Sequence, residues 1–95
     1  METHHPIIDV PERSRFEWVM GEHVAVVTYR REGSVLWLNH AGVPPALGGR
    51  GLGSQLVQGV LHLIQARGEQ IVPVCSFIVR HLERHPEFQA LIALR

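Results

Sequence analysis

Val43-Pro44-Pro45-Ala46-Leu47-Gly48-Gly49-Arg50-Gly51-Leu52-Gly53-Ser54 runs without a break into Gln55-Leu56-Val57-Gln58-Gly59-Val60-Leu61-His62-Leu63-Ile64-Gln65-Ala66-Arg67-Gly68. Beyond the glycines, Leu52, Leu56, Val57, Val60, Leu61 and Ile64 recur at spacings of three and four, with Ser54, Gln55, Gln58, His62 and Gln65 opposite. That period is an amphipathic helix of about four turns, and Gly68 is a suitable residue just past its end. Gly59 is costly inside a helix by propensity, which predicts close packing of that point on its neighbour. Ahead of the helix, a rigid Pro-Pro step meets four glycines in six residues, Gly48, Gly49, Gly51 and Gly53. Glycine tolerates positive φ and lets a ligand approach the backbone. The first helical turn offers amides without intrahelical partners, at the positive end of the helix dipole. The combination predicts a phosphate cradle.

On the N-terminal side, Arg15-Phe16-Glu17-Trp18-Val19-Met20 alternates, and His23 to Arg30 is rich in β-branched residues. A third strand is expected over Ser34–Ala41, with short turns at Gly21-Glu22 and Arg31-Glu32-Gly33. Three short strands with tight turns form an antiparallel meander. Residues 1–14 lack a clear period and are expected as an irregular arm. On the C-terminal side, Ile71-Val72-Pro73-Val74-Cys75 is a short apolar strand. Its proline cannot donate to a ladder, which places it at an edge or bulge. Ser76 is the expected N-cap of a helix from Phe77 to about Arg84, and Pro86 opens a last short helix. The order β-β-β-α-β-α-α reads as an α+β fold, a mainly antiparallel sheet with the long helix packed on it. Ninety-five residues (1–95) make one domain.

Nine basic residues, all arginine, balance nine acidic ones. The zero net charge argues against a broad nucleic-acid or membrane-surface role. No apolar run approaches the ~20 residues of a membrane span, and the first residues lack a signal peptide's pattern. The lone Cys75 leaves no internal disulfide and fits the reducing cytoplasm. The histidines and Cys75 show no metal-ligand spacing, so no metal is expected.

A Walker loop needs a Gly-Lys-Ser/Thr ending, and the chain has no lysine. A dinucleotide fingerprint needs a βαβ frame, which three leading antiparallel strands do not supply. The run Val43-Pro44-Pro45-Ala46-Leu47, the glycines up to Ser54, the block Pro73-Val74-Cys75-Ser76-Phe77 and the later His85-Pro86-Glu87-Phe88 together resemble the GNAT superfamily of N-acyltransferases. The closer likeness is to its small, single-domain branch of uncharacterised members, and it spans about residues 14 to 93. The resemblance implies acetyl-CoA as a small-molecule acyl donor and an unidentified amine, small molecule or protein, as acceptor. It implies that Val43, Gly48, Gly49, Arg50, Gly51, Leu52, Gly53 and Ser54 contact the coenzyme, joined by Ser76, Phe77 and Arg80 on the following helix. Two positions depart from the pattern. Gly48 stands where the superfamily has Gln or Arg, which removes one side-chain contact. Gly42 stands where the branch commonly has Glu, which removes a candidate base.

Acyl transfer from a thioester needs amine deprotonation, donors for the oxyanion and a proton for the leaving thiolate. Two side chains are candidates for that chemistry. His40 ends the third strand with a side chain suited to a general base. Cys75 lies beside a helix N-terminus and could take the acyl group or protonate the thiol. Its bland alternative is a small buried core residue. Arg80 and Arg84 lie four apart on one helix face and can reach a phosphorylated ribose, but the plainer reading, a solvated face, is preferred for the pair. Tyr29, Trp18, Trp37 and Phe88 read as packing residues. A non-catalytic coenzyme A-binding or protein-interaction module is the alternative function, motivated by Gly42 and Gly48.

Overall fold

The computed structural model describes residues 6–47 and 51–93. Its strands are β1 (Ile7–Val10), β2 (Arg15–Met20), β3 (His23–Glu32), β4 (Val35–Gly42) and β5 (Gln70–Pro73), with helices α1 (Leu52–Ala66) and α2 (Ser76–Arg84). Three 3-10 turns, Pro11–Arg13, Pro45–Leu47 and Pro86–Leu91, connect or follow them. The sheet order is β1-β2-β3-β4-β5, antiparallel as far as β4 and parallel between β4 and β5. The α+β architecture is therefore the expected one, with one strand more.

That strand is a correction to the N-terminal arm. Ile7–Val10 pairs antiparallel with β2 in the register Ile7↔Trp18 to Val10↔Arg15. Tertiary contacts, rather than local pattern, hold it. The Ile7 side chain lies where a Cβ on Gly59 would be, 2.4 Å from its Cδ1, so the glycine lets α1 settle onto β1. Asp9 turns inward and accepts hydrogen bonds from the Tyr29 hydroxyl (2.6 Å) and from Arg67 (2.9 Å).

The apolar stripe of α1 behaves as its period requires. Leu56, Val57, Val60, Leu61 and Ile64 are all buried. They pack with Phe16, Ala25, Val27, Tyr29, Leu36 and Leu38 from the sheet, and with Ile78, Leu82 and Phe88 from the C-terminal elements. Burying such side chains supplies about 1.5–3 kcal/mol each. The sheet is covered by helices on this face. Strand parity puts Val24, Val26, Arg30 and Trp37 on the other face, where the Arg30 guanidinium lies 4.7 Å from the Trp37 ring centroid.

The last strand and helix begin differently from expectation. β5 ends at Pro73, opposite Leu38 on the parallel side, which suits a residue without an amide. The amides of Val74 and Cys75 both bond the Leu38 carbonyl, at 3.0 and 3.2 Å. Cys75, with φ −69° and ψ 130°, is then the N-cap of α2. Ser76, expected as the cap, is its first helical residue. The closing segment is a 3-10 helix, and beyond it the Ala93 amide bonds the Ile71 carbonyl at 2.8 Å.

Candidate functional site

The site starts from an irregularity in β4. Tyr29 pairs with Leu38 but Thr28 pairs with His40, so Asn39 is an extra residue and the strand bulges there. β5 stops opposite Leu38, at the same level. Beyond it, Asn39–Gly42 pairs with β3 and no longer with β5. A cleft of about 390 Å³ lies here, lined by Ala41, Val43, Leu47, Phe77, Arg84 and the start of α1 from Gly51 to Ser54. Its size falls within the usual range of small-molecule sites.

The helix start forms one wall. Gly51 caps α1 in the left-handed conformation, φ 70°, which glycine adopts without strain. Among the described residues, the first helical hydrogen bond in this turn runs from the Gln55 amide to the Gly51 carbonyl at 3.2 Å. The amides of Leu52, Gly53 and Ser54 therefore precede the ladder at the positive end of the dipole. A Cβ on Gly53 would come within 3.1 Å of the Phe77 ring, which is how closely α2 approaches this turn. Pro45–Leu47 closes a tight turn through a 2.9 Å bond from the Leu47 amide to the Pro44 carbonyl. Gly48, Gly49 and Arg50 lie outside the described residues.

The electrostatics of the opening are cationic. A smaller recess of about 70 Å³ adjoins the cleft, bounded by Ser54, Phe77, Arg80, His81 and Arg84. Both arginines are exposed, and neither is in an ion pair among the described residues. Among the described residues no aspartate or glutamate lines either cavity.

Under this recess lies a polar network that the sequence reading did not single out. His81 is 4% exposed. Its Nε2 lies 2.9 Å from Oε1 of Gln58 and its Nδ1 3.3 Å from the Ser54 hydroxyl. Gln58 continues to His62 at 3.4 Å, and the His85 ring stacks on His81 at 4.2 Å between centroids. Burial, helped by His85 and Arg84, holds the His81 pKa below the usual histidine value, against an opposing pull from Glu87. The only advance signal was weak. Ser54 and Gln58 stand four apart on α1, and His81 on α2 stands four before His85 at its C-cap, but nothing in either pattern says that the two faces meet.

The expected site residues separate into two groups. Val43, Gly51, Leu52, Gly53, Ser54 and Phe77 share the cleft, and Arg80 bounds the recess beside it. His40, Cys75 and Ser76 do not line it. β4 alternates, so Ala41 and Val43 face the cleft while His40 and Gly42 face the uncovered side. There the exposed His40 ring lies over Gly42, with Nε2 2.9 Å from the position of a Gly42 Cβ. Cys75 is half-buried behind the junction of β5 and α2 and packs on the core, and Ser76 is exposed. Tyr29 is engaged elsewhere. Burial and the Asp9 carboxylate push its hydroxyl up to about 12, and it does not line the cleft.

A family model described as GCN5-related N-acetyl-transferase matches residues 15–91. The chain belongs to the GCN5-related N-acetyltransferase family. The solution NMR structure of a GCN5-like proposed N-acetyltransferase from Staphylococcus aureus superposes with a TM-score of 0.70 at 26% identity, covering 99% of this chain and 94% of that one. No curated protein sequence matches the chain. In this member of the GCN5-related family, the matched segment contains the whole cleft, from Ala41 to Arg84. Among the described residues there is no cluster of three or more His, Cys, Asp or Glu side chains able to hold a metal. No described helix is long and apolar enough to cross a membrane.

Proposed function

We propose that this protein is an acetyl-CoA-dependent N-acetyltransferase acting on an amine, in the cytoplasm. The observation that carries the reading is the start of α1: a glycine-capped helix end opens onto a cleft with one apolar wall and two arginines beside it. The three chemistries match the three parts of coenzyme A. The diphosphate suits the amides of Leu52, Gly53 and Ser54. The pantetheine arm suits Ala41, Val43, Leu47 and Phe77. The phosphorylated ribose suits Arg80 and Arg84, since guanidinium groups bind phosphate in bidentate fashion.

In the transfer, the acceptor nitrogen attacks the thioester carbon, a C–N bond forms, and the C–S bond breaks. The amine's proton goes to a base and the departing sulfur takes one up. Amides of β4 about the Asn39 bulge and Val43 are the donors for the oxyanion. His40 is our candidate base, and its place on the uncovered side of β4 requires the amine to approach from there. Cys75 is our candidate for the second role, as thiolate nucleophile or as acid for the leaving sulfur.

Titration of coenzyme A into isotope-labelled protein tests the binding half. The amides of Gly51, Leu52, Gly53 and Ser54 are expected to move most, and stationary signals there at millimolar ligand would refute the reading. Mass spectrometry after incubation with acetyl-CoA tests Cys75, because an acetyl adduct on it marks the covalent route. One observation favours a second reading, a coenzyme A-binding module without turnover: no carboxylate, imidazole or thiol lines the cleft among the described residues. Binding without transfer to any of a panel of amines is the result that would select it.

A further inference from the structure

The buried network of His81 has a proton count that does not suit a phosphate ligand. An amide oxygen only accepts, so the 2.9 Å contact with Gln58 Oε1 requires the proton on Nε2. Nδ1 of the neutral ring is then bare, and the Ser54 hydroxyl donates to it across 3.3 Å. That leaves Ser54 showing only lone pairs to the cavities it lines. A phosphate oxygen arriving beside the third residue of α1 would meet another acceptor. Ser54 has one proton, and His81 and the phosphate both need it.

We propose that His81 is a positioning residue that takes up a proton when a phosphate-bearing ligand docks at the start of α1, freeing the Ser54 hydroxyl to donate to the phosphate. The exchange balances. A proton from solvent adds to Nδ1, which then donates to the Ser54 oxygen. The Ser54 hydroxyl rotates to donate to the phosphate oxygen, and Nε2 keeps its bond to Gln58. No bond other than hydrogen bonds changes.

The surroundings of His81 favour the neutral ring without ligand and the charged ring with it. From α1 it faces Ser54 and Gln58, neither charged. From α2 it feels the Arg84 guanidinium and shares the recess with Arg80, His85 just past the end of α2 stacks on it, and from the following turn it feels Glu87. Burial, His85 and Arg84 oppose protonation, and Glu87 favours it. Phosphate charge beside Arg80 and Arg84 would cancel that opposition. The sign follows from linkage. Binding raises the histidine pKa, so affinity is greatest below the free-state value and falls as pH rises through the bound-state value.

This inference rests on the coenzyme reading above, and calorimetry with coenzyme A separates the two. Wild type and His81→Phe, which keeps an aromatic ring against His85, are titrated across about pH 5 to 8 in buffers of differing ionisation enthalpy. The ligand's 3′-phosphate itself titrates near about 6, so the readout is the difference between the two proteins. Wild type is expected to take up an additional fraction of a proton on binding. Its affinity relative to the variant should gain about tenfold per unit by which the ligand raises the histidine pKa. Identical proton uptake and identical pH profiles would overturn the inference while leaving the coenzyme reading intact. An absence of coenzyme A binding to wild type at every pH would bring down both. If His81→Phe does not fold, NMR titration of the wild-type His81 ring, with and without saturating coenzyme A, decides the point. A raised imidazole pKa supports the inference, and an unchanged one overturns it.

Discussion

The two ends of α1 are opposites. At its C-terminal end charges are closed into a circuit. Asp9 takes hydrogen bonds from Tyr29 and Arg67, Arg67 also reaches Glu69 at 3.1 Å, and Glu69 accepts from Arg31 at 2.8 Å. These contacts tie β1, β3, the end of α1 and the approach to β5 together. At the N-terminal end, Arg80 and Arg84 stand beside a glycine cap with no acidic partner among the described residues. Charges placed for stability meet their partners inside the chain. Cations held beside a cavity without partners fit a ligand that carries the negative charge.

The largest expected effect breaks the open end. Reversing both arginines, Arg80→Glu with Arg84→Glu, replaces attraction for phosphate by repulsion. With hydrogen bonds to charged groups worth about 1.5–3 kcal/mol each, coenzyme A affinity should fall by at least about 100-fold. The melting temperature should hardly move, because neither side chain supports the fold. A variant that binds as wild type does would remove the arginines from the site.

The converse change belongs at the closed end. Asp9→Ala strands a buried tyrosine hydroxyl and one partner of Arg67, and should destabilise by about 1–3 kcal/mol, seen as a lower denaturant midpoint. Coenzyme binding by the folded fraction should be unaltered. The same contact has a pH signature. The Tyr29 hydroxyl is pushed up from 10.0 to about 12, so the folded state binds more protons than the unfolded one between those values. Its contribution is fully present below about pH 10 and is lost as pH climbs through about 12, with an upper bound of about 2–3 kcal/mol. Alkaline unfolding followed by tyrosinate absorbance should start earlier in Asp9→Asn.

This contrast was only half visible in the chain. The open end was legible because its signals are local: proline, glycine and a six-residue apolar stripe at helical period. The closed end was not, because Asp9, Tyr29, Arg31, Arg67 and Glu69 are scattered over sixty-odd positions and only the fold joins them. β1 was missed for the same reason. Asp9 interrupts its apolar run and looks solvated until Tyr29 and Arg67 are placed around it. In β4, Val35-Leu36-Trp37-Leu38 is apolar throughout, so its parity cannot be read. Trp37, expected in the core, faces away from the helices beside Arg30, whereas Trp18 packs partly against the core. The cap of α2 shifted from Ser76 to Cys75, where the chain is still extended and the Val74 and Cys75 amides both bond the Leu38 carbonyl. His81 was overlooked because its meaning lies in the face opposite.

The smallest effect sharpens what the closed end owes to burial. Arg30 and Glu32 also form an ion pair, but both side chains are 55% exposed. Water screens such a pair, and holding two long side chains together costs entropy, so exposed pairs contribute about 0–1 kcal/mol. Glu32→Ala should therefore shift the denaturant midpoint far less than Asp9→Ala, and added salt should erase what shift there is. The Asp9 effect should largely survive the same salt, because Tyr29 is only 5% exposed and its bond to Asp9 is short. Equal losses in the two variants would mean that burial adds nothing to the circuit at the end of α1. The distinction between its two ends would then rest on geometry alone.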